Sequence, residues 1–388
     1  MKLFVLLPRV PYPIEKGDKL RAYHQLRHLA EKHEIILCAL SDEEIHPDAF
    51  SELKKIVSEL HIIKLTKFGS ACNIVKAFFN GKPLQVGYYY NKKAHKQIKK
   101  LIEKYQPDHI YAQLVRVAEY VKKQQVSTTI DYQDVFSKNI YRRAQTEAWY
   151  KKPVFYLEAA RLKRYERKVF DCFDNKTIIA EPDRVWIDHK DREQIHIIGN
   201  GVDMDFFKPI KIEKKYDLVF IGNMSYAPNV DSAEYLANEI IPEIHKTNPE
   251  ITLTLAGASP LPRVKALATD KIKVTGWVDD IRESYAAAKI FIAPMNIGTG
   301  LQNKLLEAMA MGIPCITSVL ANDSLNAIPE KDVLIGTTKQ DYAQYVISLL
   351  NNPEKAKNLA KNGAAFVNKN FDWSAATSKL EKIMSTKR

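Results

Sequence analysis

The sequence is poor in the residues that build disulfide or metal frameworks. Four cysteines, Cys38, Cys72, Cys172 and Cys315, are scattered over 388 residues without the paired spacing of a zinc site. That excludes a disulfide scaffold and predicts a reduced, cytoplasmic compartment. No run of about 18 or more apolar residues occurs, which speaks against a transmembrane helix. The apolar start, MKLFVLLPRVPYP, is broken by proline and has no small-residue cleavage site. Residues 2–8 therefore read as a buried first strand rather than a secretory leader. No G-x-G-x-x-G follows that strand, which argues against a dehydrogenase. There is no solenoid-length repeat, no low-complexity segment, and no helix-turn-helix, zinc-finger or aromatic RNA-binding signature. Carboxylates are fewer than bases: 46 Asp and Glu stand against 58 Lys and Arg, a net charge of +12. The excess reads either as a solubilising surface or as attraction to anions: phosphate ligands, an anionic membrane face or nucleic acid.

What is present is a globular alternation. A chain that is 46% hydrophobic and 27% charged folds, and at this length it fits two domains. Apolar runs at residues 3–7, 34–40, 61–65, 109–112, 128–130 and 177–180 predict buried strands, with helically spaced segments between them. Such alternation predicts parallel sheets covered by helices on both faces. It pauses after residues 195–198, at Gly199-Asn200-Gly201, Pro209 and the charged stretch 211–215. It resumes with runs at 216–222, 251–257, 272–276, 290–294 and 313–317. The expected fold is α/β: two doubly wound, Rossmann-like domains, 1–205 and 206–370, with strand ends along a shared cleft. Two last helices are expected near 353–370 and 373–385, with 371–388 returning to the first domain.

Residues 132–172 break the alternation and read as largely helical. Basic and aromatic residues crowd there: Tyr141-Arg142-Arg143, Trp149-Tyr150-Lys151-Lys152, and Arg161 through Arg167. Lys92-Lys93, Lys96 and Lys99-Lys100 form a second basic face. Each is either a solvated helix face or a surface for a membrane or an acceptor.

The segment most suggestive of chemistry is residues 293–314. A strand ends at Pro294, a loop with Gly298, Thr299 and Gly300 follows, and Leu301, Gln302 and Asn303 lead into a helix that Gly312 and Pro314 end. A strand, a glycine loop and a helix N-terminus make an anion site. Lys304 adds a point charge in the first turn. Glu307, one turn on, can accept two hydroxyl hydrogen bonds from a ribose. The plain alternative is an ordinary strand–helix connection with a surface Lys and Glu.

Residues 300–314 also resemble the nucleotide-sugar motif of the retaining GT-B glycosyltransferases, the group 1 enzymes of bacterial polysaccharide assembly (glycosyltransferase family 4). Glu307-Ala308-Met309-Ala310-Met311-Gly312-Ile313-Pro314 matches the second half of that motif. Gly199-Asn200-Gly201-Val202-Asp203 with Phe206, Phe207 and Pro209 resembles the interdomain signature. Phe220-Ile221-Gly222-Asn223-Met224 resembles a phosphate-side loop, and Val274-Thr275-Gly276-Trp277-Val278-Asp279 a strand end at the base. The likeness is strong over about 195–320 and weak before it. It implies a nucleotide diphosphate sugar as substrate, retention without a protein nucleophile, no metal or other cofactor, and a saccharide or lipid-linked acceptor. Donor contacts then fall on Gly222, Asn223, Met224, Trp277, Val278, residues 298–304 and Glu307, with Trp277 more a packing than a stacking residue. Two departures matter. Thr299 stands where the family has a Glu near the transferred sugar. Asn223, Met224, Ser225 and Tyr226 replace the cations that offset the leaving diphosphate. Lys304 is the candidate for that role. The Thr299–Glu307 wording resembles an exopolysaccharide-associated subgroup.

In the first domain Gly17 could approach the diphosphate or acceptor and Arg21 could point back from the next helix. Alternatively, Asp18 simply caps that helix. Asp131 and Asp134 follow a strand and face either the cleft or a helix start. Arg21, Asp131 and Lys304 are the catalytic candidates. Asp203-Met204-Asp205 invites a metal reading, but no other ligand cluster accompanies it. Two rival functions remain, a sugar-nucleotide epimerase of the same fold and a basic nucleic-acid-binding protein. The favoured reading has no nucleic-acid partner and a cytoplasmic enzyme in peripheral contact with the inner membrane face.

Overall fold

The computed structural model describes residues 1–388 except 15, 123, 298–300 and 386–388, and Thr146 by its backbone alone. The chain divides into two compact units: Met1–Gly199 with Trp373–Arg388, and Asn200–Asp372.

The first unit is a parallel sheet of β1 (Lys2–Leu7), β2 (Glu34–Ser41), β3 (Glu59–Lys64), β4 (His109–Gln113), β5 (Ser127–Asp131), β6 (Asn175–Ile178) and β7 (His196–Ile197). Their order is β3-β2-β1-β4-β5-β6-β7. Side chains alternate across a strand, so a strand covered on both faces is apolar throughout. Phe4 and Leu6 of β1, with Ile36, Cys38 and Leu40 of β2, enter one core. Leu3, Val5 and Leu7, with Ile35, Leu37 and Ala39, enter the other. Each of the Val, Leu, Ile and Phe side chains among them contributes about 1.5–3 kcal/mol when fully buried. The Trp373–Ser385 helix completes the second core through Leu380 and Met384. The Trp373 ring stacks on His24 at 5.1 Å between centroids, and Lys32 pairs with Glu381 at 3.0 Å. The region 132–172 is helical at Phe136–Thr146 and Lys152–Phe170.

The second unit is also a parallel sheet: β8 (Tyr216–Ile221), β9 (Leu253–Ala256), β10 (Ile272–Gly276), β11 (Ala288–Ala293), β12 (Cys315–Ser318) and β13 (Leu334–Gly336). Their order is β10-β9-β8-β11-β12-β13. The division falls at Gly199/Asn200 instead of 205/206, several strand ends are displaced by a residue or two, and two of the differences have a plain cause. β6 ends at Ile178 instead of 180, because Ala180 already caps the Glu181–Arg184 turn. β13 was not foreseen, since three residues are too few to read as an apolar run.

Candidate active site

In an open parallel sheet, a ligand crevice opens beyond the carboxyl ends of the strands where the strand order reverses. In the second unit that point lies between β8 and β11. β8 runs into residues 222–226 and the Ala227–Tyr235 helix; β11 runs into residues 294–302 and the Asn303–Ala310 helix. Two helix starts therefore flank the crevice, each with N–H groups that lack intrahelical acceptors. Gly298, Thr299 and Gly300 lie outside the described residues.

The loop after β8 is held by close backbone packing. Gly222 N–H donates to the Ala256 carbonyl at 3.0 Å, and Met224 N–H to that of Ala258 at 2.8 Å. A Cβ on Gly222 would stand 2.5 Å from the Asn229 amide. At Gly257, where φ is +135°, a Cβ would stand 2.0 Å from the Gly222 carbonyl oxygen. Neither position has room for a side chain. Asn223 is exposed, and its Oδ1 accepts from the Ser225 N–H at 2.9 Å and hydroxyl at 2.7 Å, an Asx turn. Met224 corrects the sequence reading. Its side chain is fully buried in the core of the unit, so it packs and does not face a ligand.

Lys304, the second residue of the Asn303–Ala310 helix, turns its ammonium inward. Nζ donates to Asn229 Oδ1, lies 3.6 Å from Met295 Sδ and 4.9 Å from the centre of the Phe220 ring. Burial pushes its pKa down to about 7, and the Glu307 carboxylate opposes the shift. Glu307 Oε2 lies 2.8 Å from the Tyr285 hydroxyl, which also stands 3.1 Å from the Lys304 carbonyl oxygen. Burial raises the Glu307 carboxyl, while the Tyr285 hydrogen bond and Lys304 pull it down. One cation and one carboxylate thus sit half-buried, one turn apart, on this helix. Such a pair suits a ligand that offers an anion and hydroxyl groups side by side. Leu301, Gln302 and Asn303 are half-buried beside them, and Asn303 Oδ1 accepts from Asn200 Nδ2 at 3.3 Å. Trp277, just beyond β10, is 63% exposed, which overturns the packing expectation, and Val278 is half-buried. Asp203 Oδ1 accepts from the N–H groups of Asp205 and Phe206, both at 3.1 Å, so that carboxylate caps a turn.

Residues 215–352 match the family described as glycosyl transferases group 1. The chain carries a group 1 glycosyltransferase domain. Over an alignment of 405 positions that covers 96% of each chain, this glycosyltransferase is 23% identical to an uncharacterized 44.6 kDa protein in the cps region of Klebsiella pneumoniae. HepE of Anabaena, solved in complex with UDP, has the same fold: TM-score 0.72, 14% identity, 99% of this chain and 100% of that one. Sucrose-phosphate synthase from Thermosynechococcus elongatus has it too: TM-score 0.70, 15% identity, 99% and 98% covered. The GT-B fold expected from the sequence is thereby shown.

In the first unit of the glycosyltransferase, Arg21 and Asp131 come together, but inside the protein. Both side chains are 0% exposed, with Arg21 Nε 2.7 Å from Asp131 Oδ2. The Tyr111 hydroxyl donates to the same oxygen at 2.9 Å, and Arg21 Nη1 to the Gly199 carbonyl at 3.2 Å. Enclosed in this way, neither side chain touches a substrate, and the catalytic expectation gives way to one of framework. Gly17 opens the Gly17–Leu29 helix and has free space where a Cβ would stand. Lys16, not Asp18, occupies the cap, and Asp18 accepts from Arg9 Nη1 at 3.0 Å. Asp134 accepts from Asn139 at 2.9 Å, and burial, with Asp183 nearby, pushes its pKa up to about 7. Sequence reasoning missed Asn229 and Tyr285. A polar residue in the first turn after the Gly222 loop was the available signal for Asn229; Tyr285 offered none.

Proposed function

We propose that this glycosyltransferase moves a sugar from a UDP-sugar to an acceptor hydroxyl, with retention, in the assembly of a bacterial polysaccharide or glycoconjugate. The observation that carries the reading is Lys304, bonded across the β8–β11 crevice to Asn229, with Glu307 one turn on. On this reading the diphosphate faces the two helix starts and the Lys304 ammonium, Glu307 accepts from the ribose hydroxyls, and exposed Trp277 stacks on the base. Departure of the diphosphate is the costly step, and one preorganised donor or cation lowers it by about 3–4 kcal/mol. Uridine as the base is supported by the UDP held in HepE. Retention and independence of metal rest on the family resemblance of residues 300–314. The acceptor is a saccharide or a lipid-linked one, and the enzyme works in the cytoplasm in peripheral contact with an anionic membrane.

A thermal-shift panel of UDP-, GDP- and ADP-sugars tests the donor. A UDP-sugar at about a hundred times its Kd adds about 2.7 kcal/mol of stability, while the other bases add less. No shift with any sugar nucleotide sinks the donor reading. Conversion of the donor into a different sugar nucleotide with no acceptor present sinks the transfer reading in favour of an epimerase.

A further inference from the structure

The Lys67–Phe79 helix of the first unit is built inside out. Its inward face is small and polar. Ser70 and Ala77 are buried, and Asn73 Nδ2 donates to the Tyr90 carbonyl at 2.7 Å. A Cβ on Gly87, in the neighbouring Leu84–Tyr89 helix, would stand 2.4 Å from the Ala77 Cβ. That close approach fixes which side faces out. On the outer side Phe68, Val75 and Phe79 follow one another at helical spacing, 82%, 56% and 80% exposed. A surface helix ordinarily turns such a stripe to the core. A contiguous exposed apolar patch marks an interaction surface.

The patch continues on the same unit. The Arg161 guanidinium lies 5.1 Å over the Phe78 ring, and Glu158 accepts from the N–H groups of Leu84 and Gln85 at 2.9 and 3.2 Å. Those contacts set the Lys152–Phe170 helix beside the first, and its Val154 and Leu157 are exposed. Trp149, just before that helix, is 82% exposed.

The charge matches. Between Glu59 and Glu103 the chain has nine lysines and no carboxylate, most of the net +12. Lys64, Lys76, Lys82, Lys92 and Lys93 line a hollow of about 900 Å³ alongside the inside-out helix; Glu119 borders it and pairs with Lys82 at 3.1 Å. Aromatic rings fringed by ammonium groups suit the interface of an anionic bilayer, rings at the acyl boundary and lysines among the phosphates. A nucleic acid would take up the lysines and leave Val75, Val154 and Leu157 in water.

We propose that this face docks on an anionic phospholipid bilayer, with the Lys67–Phe79 helix lying in the interface plane. It gives a place to the membrane contact proposed above, on which it rests, and is independent of the donor reading. The test floats the purified full chain with vesicles of phosphatidylglycerol and phosphatidylethanolamine, and with vesicles of phosphatidylcholine alone. Binding is expected to the anionic vesicles, weakening as salt rises. Phe68→Ser with Phe79→Ser lowers the partition about tenfold or more for each ring removed. Lys67→Glu with Lys76→Glu lowers it on anionic vesicles. Both variants keep the wild-type melting transition and its shift by a UDP-sugar, since none of these residues lies at the donor crevice. Equal binding to neutral vesicles, unchanged binding by the phenylalanine variant, or capture of RNA in preference to vesicles overturns the proposal. A lost UDP-sugar shift with flotation intact overturns only the donor reading.

Discussion

Replacing Lys304 with methionine separates charge from shape. Methionine is unbranched and reaches a similar depth, so the crevice keeps most of its packing while the ammonium goes. In the free protein burial holds the Lys304 pKa at about 7. A bound diphosphate stabilises the charged form and raises that value. Binding then takes up a proton, so affinity is full below about pH 7 and falls as pH rises through it. From about pH 6 to about pH 8 the protonated share of the free protein drops from about nine-tenths to about one-tenth, and donor affinity falls about tenfold. UDP-glucose is the suitable ligand, because its diphosphate is a diester and keeps its charge over this range. Titration calorimetry in two buffers of different ionisation enthalpy reads both the affinity and the proton uptake. With Lys304→Met the pH dependence vanishes, affinity at low pH drops to the high-pH level of the wild type or below, and turnover falls about 100- to 1,000-fold. Stability of the free protein moves the other way. The folded pKa lies below the ordinary 10.5, so between about 7 and about 10 the unfolded chain holds the extra proton and stability rises with pH. Lys304→Met lacks that rise. A flat wild-type affinity profile, or a variant profile as steep as the wild type, would refute the assignment of the titrating cation.

Three further outcomes are expected. Glu307→Ala loses hydrogen bonds to a charged acceptor and weakens UDP-glucose by about 1.5–3 kcal/mol, and the buried Tyr285 hydroxyl that gives up this acceptor costs about 1–3 kcal/mol of stability besides; calorimetry and a melting curve of the variant decide it. Gly257→Ala sets a Cβ against the Gly222 carbonyl at a φ of +135°, and urea titration is expected to show a loss of more than about 3 kcal/mol in the unit that holds the crevice. Asp131→Asn, or Arg21→Met, breaks a fully buried ion pair and costs about 3–5 kcal/mol of stability, while turnover per folded molecule holds. Lost turnover at wild-type stability would restore the catalytic reading of that pair.

The strands were legible because both their faces are buried. β1 and β2 feed alternate residues into two cores, so each reads as one apolar run. Met224 was misread because its place in a loop pointed to a ligand, whereas the loop folds its side chain into the core and leaves only the backbone bonded to Ala258. The strand-end position of Asp131 was legible. Its burial was not, since that depends on Tyr111 from β4 and Arg21 from the Gly17–Leu29 helix closing over it. Asn229 and Tyr285 were hidden for the same reason. What Asn229 touches is decided by strand order, which brings the loops after β8 and β11 side by side although β9 and β10 intervene in the chain; what Tyr285 touches is decided by how the helices before and after β11 pack together.

That strand order also explains how a missing charge is replaced under the proposed function. The family resemblance puts cations in the loop after β8, where this chain has Asn223, Met224, Ser225 and Tyr226. Lys304 belongs to the opposite loop's helix, yet its Nζ bonds Asn229, in the first turn of the helix that follows the β8 loop. The ammonium therefore arrives beside the place that a cation of the β8 loop would occupy, delivered from the other side of the crevice. The exchange is not neutral, because this route runs through buried surface between Phe220 and Met295. An arginine would stay charged throughout. A lysine with a pKa of about 7 is half-charged near neutrality in the free protein and becomes fully charged when the diphosphate arrives. The substitution thus makes the charge that assists departure conditional on the donor being bound.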